Sequence, residues 1–151
     1  MTTSAKALSI MKNRQYRSTC PVNFALETFG DVWSLLVIRD IIRYKKSTYG
    51  EFLESDEKIS TNILADRLSR LVQVGILKKI PDKNDGRKDV YKLTQKGIDL
   101  YPMMLEIILW GVKYGTDIDE AYKTILPLIK KDKQVYIKGR LKEISDFANS
   151  E

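Results

Sequence analysis

The chain of 151 residues contains no histidine and a single cysteine, Cys20. Without histidine there is no imidazole base, no Ser–His or Cys–His dyad, and none of the commonest metal ligand. One thiol can neither close an intrachain disulfide nor build a zinc site. The eight glycines are scattered, which leaves neither a phosphate-cradling Walker loop nor a dinucleotide-binding fingerprint. Carboxylate pairs such as Asp56–Glu57 and Asp119–Glu120 stand in short charged runs of the kind that solvate a surface. An enzyme is therefore the least expected class, and neither a cofactor nor a metal is expected. The longest apolar stretch, Leu100 to Val112, is too short for a bilayer span and is interrupted by Pro102, Glu106 and Gly111, so it reads as core. The N-terminus lacks the apolar run of a secretory signal. These absences point to a soluble, cytoplasmic protein with no membrane partner.

What is present is a hydrophobic fraction of 43% beside 30% charged residues, the balance of one globular domain with a real core. The net charge of +6 is unevenly placed. Residues 1–19 carry Lys6, Lys12, Arg14 and Arg17 with no acid, and residues 60–96 carry a surplus of five bases. The remaining segments are slightly acidic. Clustered bases are the electrostatic footprint of a polyanion binder.

Helical spacing begins at Cys20-Pro21, with proline suited to the first helical position and Gly30 closing the segment. A second helix is predicted from Asp31, as its N-cap, to Lys45-Lys46, with Trp33, Leu36, Val37, Ile41 and Ile42 on an apolar face. Thr48 caps a short helix, Tyr49 to Leu53. Ser60 then caps a helix with Leu64, Leu68, Leu71 and Val72 on one stripe and Gly75 in the C′ position. Its opposite face carries Asn62, Ala65, Asp66, Ser69, Arg70 and Gln73, with Arg67 at the boundary. After Gly75 the period changes to two short β-type runs, Ile76 to Pro81 and Val90 to Thr94, around a charged tip with an Asp85-Gly86 turn signal. Helices followed by a hairpin with a long basic tip give the order of a winged helix-turn-helix domain.

Downstream, Thr94 caps a helix predicted to run from Gln95 to about Tyr114, kinked at Pro102. Two further helical patterns follow, Asp119 to Ile129 broken by Pro127, and Lys133 to Ala148. Trp33 and Trp110 fall on apolar stripes and are expected in the core. The helix over Ile98 to Val112 offers more apolar surface than one small core absorbs, which predicts a homodimer.

Taken in order, Cys20-Pro-Val, Gly30-Asp-Val-Trp33, Ile59-Ser60, Leu64, Leu68-x-x-Leu71-x-x-x-Gly75-Ile76-Leu77, Tyr91-x-Leu93-Thr94-x-x-Gly97 and Trp110-Gly111 resemble the HxlR family of bacterial transcription regulators over Cys20 to Tyr114. The resemblance implies a dimeric winged-helix DNA-binding protein whose terminal helices form the dimer interface. Val32, Asn62 and Val90 depart from the family's usual residues, so its operator preference does not carry over. The expected architecture is mainly α with a small β-hairpin, divided into a basic N-terminal arm (1–19), a winged helix-turn-helix domain (20–114) and a C-terminal helical extension (115–151).

On this reading the Ser60 helix enters the major groove of double-stranded DNA. Ser60 and Thr61 meet phosphate at its N-terminus, and Asn62 with Arg67 or Arg70 reaches bases or backbone. Lys83, Arg87 and Lys88 at the hairpin tip meet phosphate or the minor groove. Cys20, at a helix N-terminus near Arg14 and Arg17, is either a thiol sensor of oxidants or electrophiles, as in some members of the family it resembles, or a small buried residue that starts a helix. A small-molecule effector site under the terminal helices and a winged-helix protein-interaction module without DNA binding are the other readings that the sequence allows.

Overall fold

The computed structural model describes residues 15–151, so Lys6, Lys12 and Arg14 of the basic arm lie outside the described residues. Two compact units divide the chain, one ending at Gly97 and one running from Ile98 to Glu151.

The first unit opens with α1 (Pro21–Phe29), which has proline in its first turn, and is followed by α2 (Ser34–Tyr44). The second helix begins two residues later than its sequence suggests, with Trp33 at the N-cap position. The Asp31 carboxylate accepts from the Trp33 and Ser34 N–H groups, each at 2.9 Å, and so organises a turn ahead of the helix instead of standing at its N-cap. Helix α3 (Tyr49–Leu53) starts with a capping box: the Thr48 hydroxyl accepts from the Glu51 N–H while the Glu51 carboxylate accepts from the Thr48 N–H at 2.9 Å.

Helix α4 (Thr61–Gln73) buries Leu64, Leu68 and Leu71 almost completely. Burial of this kind contributes roughly 1.5–3 kcal/mol per leucine and sets which face remains outside. The helix ends in a Schellman motif, with the Gly75 N–H donating to Val72 and the Ile76 N–H to Leu71. The motif requires the left-handed backbone of Gly75, whose φ is +77°.

Strands β1 (Leu77–Pro81) and β2 (Asp89–Leu93) pair antiparallel from Leu77 opposite Leu93 to Pro81 opposite Asp89. The intervening tip is no tight Asp-Gly turn. The Asp82 carboxylate accepts from the Asn84 and Asp85 N–H groups, and the Asp82 N–H donates to the Lys88 carbonyl. A connection absent from the sequence reading joins the hairpin to the start of α3: Thr48 bridges Val90, and the Ser47 carbonyl accepts from the Tyr91 N–H at 2.7 Å.

A one-turn helix, α5 (Gln95–Ile98), follows, with the Thr94 hydroxyl accepting from the Gly97 N–H. A Cβ added at Gly97 would lie 2.5 Å from the Ile76 carbonyl oxygen and 2.8 Å from a Leu93 methyl, whereas one at Gly75 would meet nothing within 4 Å. Gly97→Ala is therefore expected to destabilise through overpacking by about 1–3 kcal/mol. Gly75→Ala should lose about 1–2 kcal/mol from backbone strain alone. Urea melts of both variants check the contrast, because replacing Gly75 by Asn, which tolerates the left-handed region, should recover part of the loss while Gly97→Asn should not.

In the second unit the predicted kink at Pro102 is instead a break. Helix α6 (Tyr101–Tyr114) starts afresh with Pro102 in its first turn, the position where a missing N–H costs nothing. Pro127 acts in the same way, so the Asp119 to Ile129 pattern becomes α7 (Glu120–Lys123) and α8 (Leu126–Lys131). Helix α9 (Lys133–Asn149) is capped by the Asp132 carboxylate and packs against α6 and α8. Lys133 pairs with Glu106, and the Arg140 guanidinium lies 5.8 Å from the centre of the Tyr101 ring. Burial, followed by a hydrogen bond with Tyr136, pushes the Tyr101 phenol well above its ordinary pKa. Trp110, expected in the core, is 68% exposed, and Trp33 is half-buried. No helix among the described residues is long and apolar enough to cross a membrane.

Candidate nucleic-acid interface

With three leucines turned inward, α4 presents Thr61, Asn62, Ile63, Ala65, Asp66, Ser69 and Gln73 to solvent. Asn62, Asp66, Ser69 and Gln73 recur at four- and three-residue intervals, so they form one straight outward stripe. Ser60 occupies the N-cap position, but its side chain makes no capping bond. The first backbone N–H groups of α4 therefore point outward at the positive end of the helix dipole, beside the Ser60 and Thr61 hydroxyls. The Tyr49 hydroxyl donates to the Thr61 carbonyl at 2.9 Å and ties this terminus to the preceding helix, a role that the sequence did not signal.

The two arginines of α4 are engaged elsewhere. The Arg67 Nε lies 3.1 Å from the Asp31 carboxylate, and its Nη1 lies 2.9 Å from Asp66. Burial would raise the pKa of Asp31, but hydrogen bonds from Ser34 and Trp33 together with the Arg67 charge outweigh it and hold the carboxyl below its ordinary range. Arg70 donates to the backbone carbonyl of Glu27 at the end of α1. The structure thus brings Ser60, Thr61 and Asn62 together at the exposed start of α4 and turns Arg67 and Arg70 toward α1 and the turn after it. Lys96 closes the other end of α4 by donating to the Val74 carbonyl at 2.7 Å, and burial lowers its pKa.

At the hairpin tip, residues 82–89 contain three acids and three bases, so net charge alone would not mark it. Geometry separates the two signs. Asp82 holds the loop backbone, Asp85 is half-buried and Asp89 pairs with Lys79 at 3.0 Å. Lys83, Arg87 and Lys88 are exposed, Arg87 with 92% of its side chain in solvent while it still reaches Asp85 at 3.0 Å. The Arg87 hydrogen bond holds the Asp85 carboxyl below its ordinary pKa.

Cys20 stands at the N-cap position of α1 and is exposed, contrary to the buried alternative. It lines an open groove with Tyr16, Ser18, Thr19, Pro21 and Phe24. Arg17, the described cation nearest to it in sequence, directs its guanidinium to the Glu27 carboxylate at 2.6 Å. Among the described residues no three His, Cys, Asp or Glu side chains are grouped so as to hold a metal ion.

Helices leading to an outward-facing amphipathic helix, followed by a cation-tipped hairpin, define a winged helix-turn-helix protein. Residues 28–119 match the model of the HxlR-like helix-turn-helix family, and the chain belongs to that family. It is 32% identical over 93 residues to an HTH-type transcriptional regulator of Mycobacterium tuberculosis, a match that takes in 62% of this chain and spans 58% of that relative's length. It is 32% identical over 101 residues to the HTH-type transcriptional regulator YdeP of Bacillus subtilis, which covers 67% of this chain and 78% of YdeP. Among solved structures, PA1607 superposes with a TM-score of 0.61 at 38% identity, covering 69% of this chain and 71% of PA1607. The reduced form of the Bacillus subtilis transcriptional regulator YodB superposes with a TM-score of 0.53 at 27% identity, covering 68% of this chain and all of YodB. The named relatives are regulators of transcription, not enzymes.

Proposed function

We propose that the protein is a sequence-specific, double-stranded DNA-binding transcriptional regulator acting as a homodimer. The observation that carries this reading is the N-terminus of α4, which offers backbone N–H groups, two hydroxyls and the Asn62 amide beyond a rigidly buried leucine stripe. A helix N-terminus of this composition suits phosphate, and the outward stripe suits base edges in a major groove. Lys83, Arg87 and Lys88 supply phosphate contacts from the wing.

Dimerisation is supported by one face of α6, where Ile107, Trp110 and Tyr114 recur at helical spacing and are 46%, 68% and 61% exposed. An exposed aromatic patch in water is costly, and the Trp110 and Tyr114 rings lie 5.3 Å apart in a tilted contact. A second copy of the chain would cover them. Light scattering at micromolar concentration should give twice the chain mass, and Trp110→Glu should halve it. A parent that scatters as a monomer would exclude the dimer.

The test of DNA binding is recovery of genomic fragments at low salt. The parent should enrich discrete fragments that contain an inverted repeat, with half-sites about one or two helical turns apart. Recovery of no DNA even at low salt would favour a protein-interaction module. Regulation through Cys20 is the finer part of this reading, supported by the exposure of the thiol and by the groove around it. The open groove is also the place for a small-molecule effector. Helix α1 bonds to α4 through Arg70, so a modification at its start has a physical route to the reading helix. Diamide should change DNA affinity in the parent and leave Cys20→Ser unaffected; equal responses would remove the sensor role.

A further inference from the structure

We infer that the α4 stripe selects bases carrying an amino group in the major groove, adenine and cytosine on one strand, instead of anchoring on guanine. This rests on the DNA-binding reading and specifies what that surface recognises. Guanine shows two acceptors there, O6 and N7, and is read by a bidentate arginine or lysine. Both arginines of α4 are already engaged within the protein, Arg67 in ion pairs with Asp31 and with Asp66, and Arg70 in a hydrogen bond to the Glu27 carbonyl. The outward stripe of Asn62, Asp66, Ser69 and Gln73 contains no cation.

What the stripe offers is mainly acceptors. The Asn62 amide can accept from adenine N6 while donating to N7. An ionised carboxylate has acceptors alone, so Asp66 can bond cytosine N4 or adenine N6 and is repelled by guanine O6 and N7 and by thymine O4. The side chain of Asp66 is 68% exposed, and Arg67 lies 2.9 Å from it, which restrains the carboxylate without covering it. An acid on a helix facing a polyanion weakens binding to every sequence, so its use there is discrimination against wrong bases. Asn62 and Asp66 are four residues apart, about 6 Å along the helix, roughly two base steps. The half-site should therefore contain two amino-bearing bases about two positions apart.

The experiment is selection from a duplex library with a randomised centre, using the full-length parent, Asn62→Ala, Asp66→Ala and Arg67→Gln. The parent should enrich adenine and cytosine at the two positions. Asn62→Ala should lose about tenfold or more in affinity for the selected site and relax one position. Asp66→Ala should change the other way, binding unselected duplex several-fold more tightly while losing preference at the second position. A half-site anchored on guanine whose preference disappears in Arg67→Gln, with an unchanged urea midpoint to show that the variant folds, would overturn the inference and leave DNA binding intact. Unchanged preferences in Asp66→Ala would likewise overturn it. Failure of the parent to retain any duplex at low salt would overturn both this inference and the DNA-binding reading beneath it.

Discussion

DNA affinity should fall about a thousandfold when salt rises from roughly 50 to 200 mM. Each wing exposes Lys83, Arg87 and Lys88, so the proposed dimer would bring six cations to phosphate. Every neutralised phosphate releases counterions and contributes about −0.9 to the slope of log K against log salt, giving about −5 for the two wings together. Asp82 and Asp89 are occupied by the loop backbone and by Lys79, and Arg87, with 92% of its side chain in solvent, must exchange its exposed Asp85 pair for a phosphate. Replacing all three cations with alanine should remove most of the slope and weaken binding to every sequence alike, since phosphate contacts carry no base information. Fluorescence anisotropy across a salt series checks both statements. A flat response in the parent, or an unchanged slope in the triple variant, would take the wing out of the interface.

The largest effect on stability should come from Asp40, which is 2% exposed near the end of α2. Its carboxylate accepts from Arg39 at 2.6 Å, from Lys46 at 3.0 Å and from the Ser55 hydroxyl. Arg39 also pairs with Glu57, so the cluster fastens α2 to the loop that leads into α4. Removing the central acceptor leaves two mostly buried cations facing each other, and Asp40→Ala is expected to cost about 3–5 kcal/mol. Asp40→Asn, which keeps one acceptor, should cost less. Urea denaturation separates the two, and a loss of less than about 1 kcal/mol in the alanine variant would mean that the cluster is solvated in solution.

The same cluster sets an acid limit. The Arg39 hydrogen bond lowers the Glu57 carboxyl from 4.5 to about 2. A carboxyl depressed in the folded state stabilises the protein above its unfolded pKa and loses that contribution as pH falls toward the folded value. Because the Glu57 side chain is about a third exposed, screening reduces the contribution to about 1 kcal/mol. Glu57→Gln should therefore melt earlier than the parent near neutrality and converge with it toward pH 2.

Helix α4, its boundaries and the hairpin strands were legible in the sequence because their causes are local. The leucines of α4 recur three and four residues apart, and the helix ends at Gly75 through bonds that reach only three and five positions back, from Gly75 to Val72 and from Ile76 to Leu71. The Thr48 and Glu51 capping box is local in the same sense. The tertiary structure decided what depends on distant neighbours. Arg70 lies on the outward face by periodicity and Arg67 at its boundary, yet long side chains turn to whatever acceptor folding brings near, here the Glu27 carbonyl for Arg70 and the Asp31 carboxylate for Arg67. Thr48 forms a bridge with Val90 because β2 lies beside it, and no period announces a single bridge. Pro102 starts a helix instead of bending one, since a proline ring is compatible with both and packing chooses. Trp110 stands in solvent on the same apolar stripe as Ile107 and Tyr114, because hydrophobicity records that a side chain seeks cover and is silent on what supplies it.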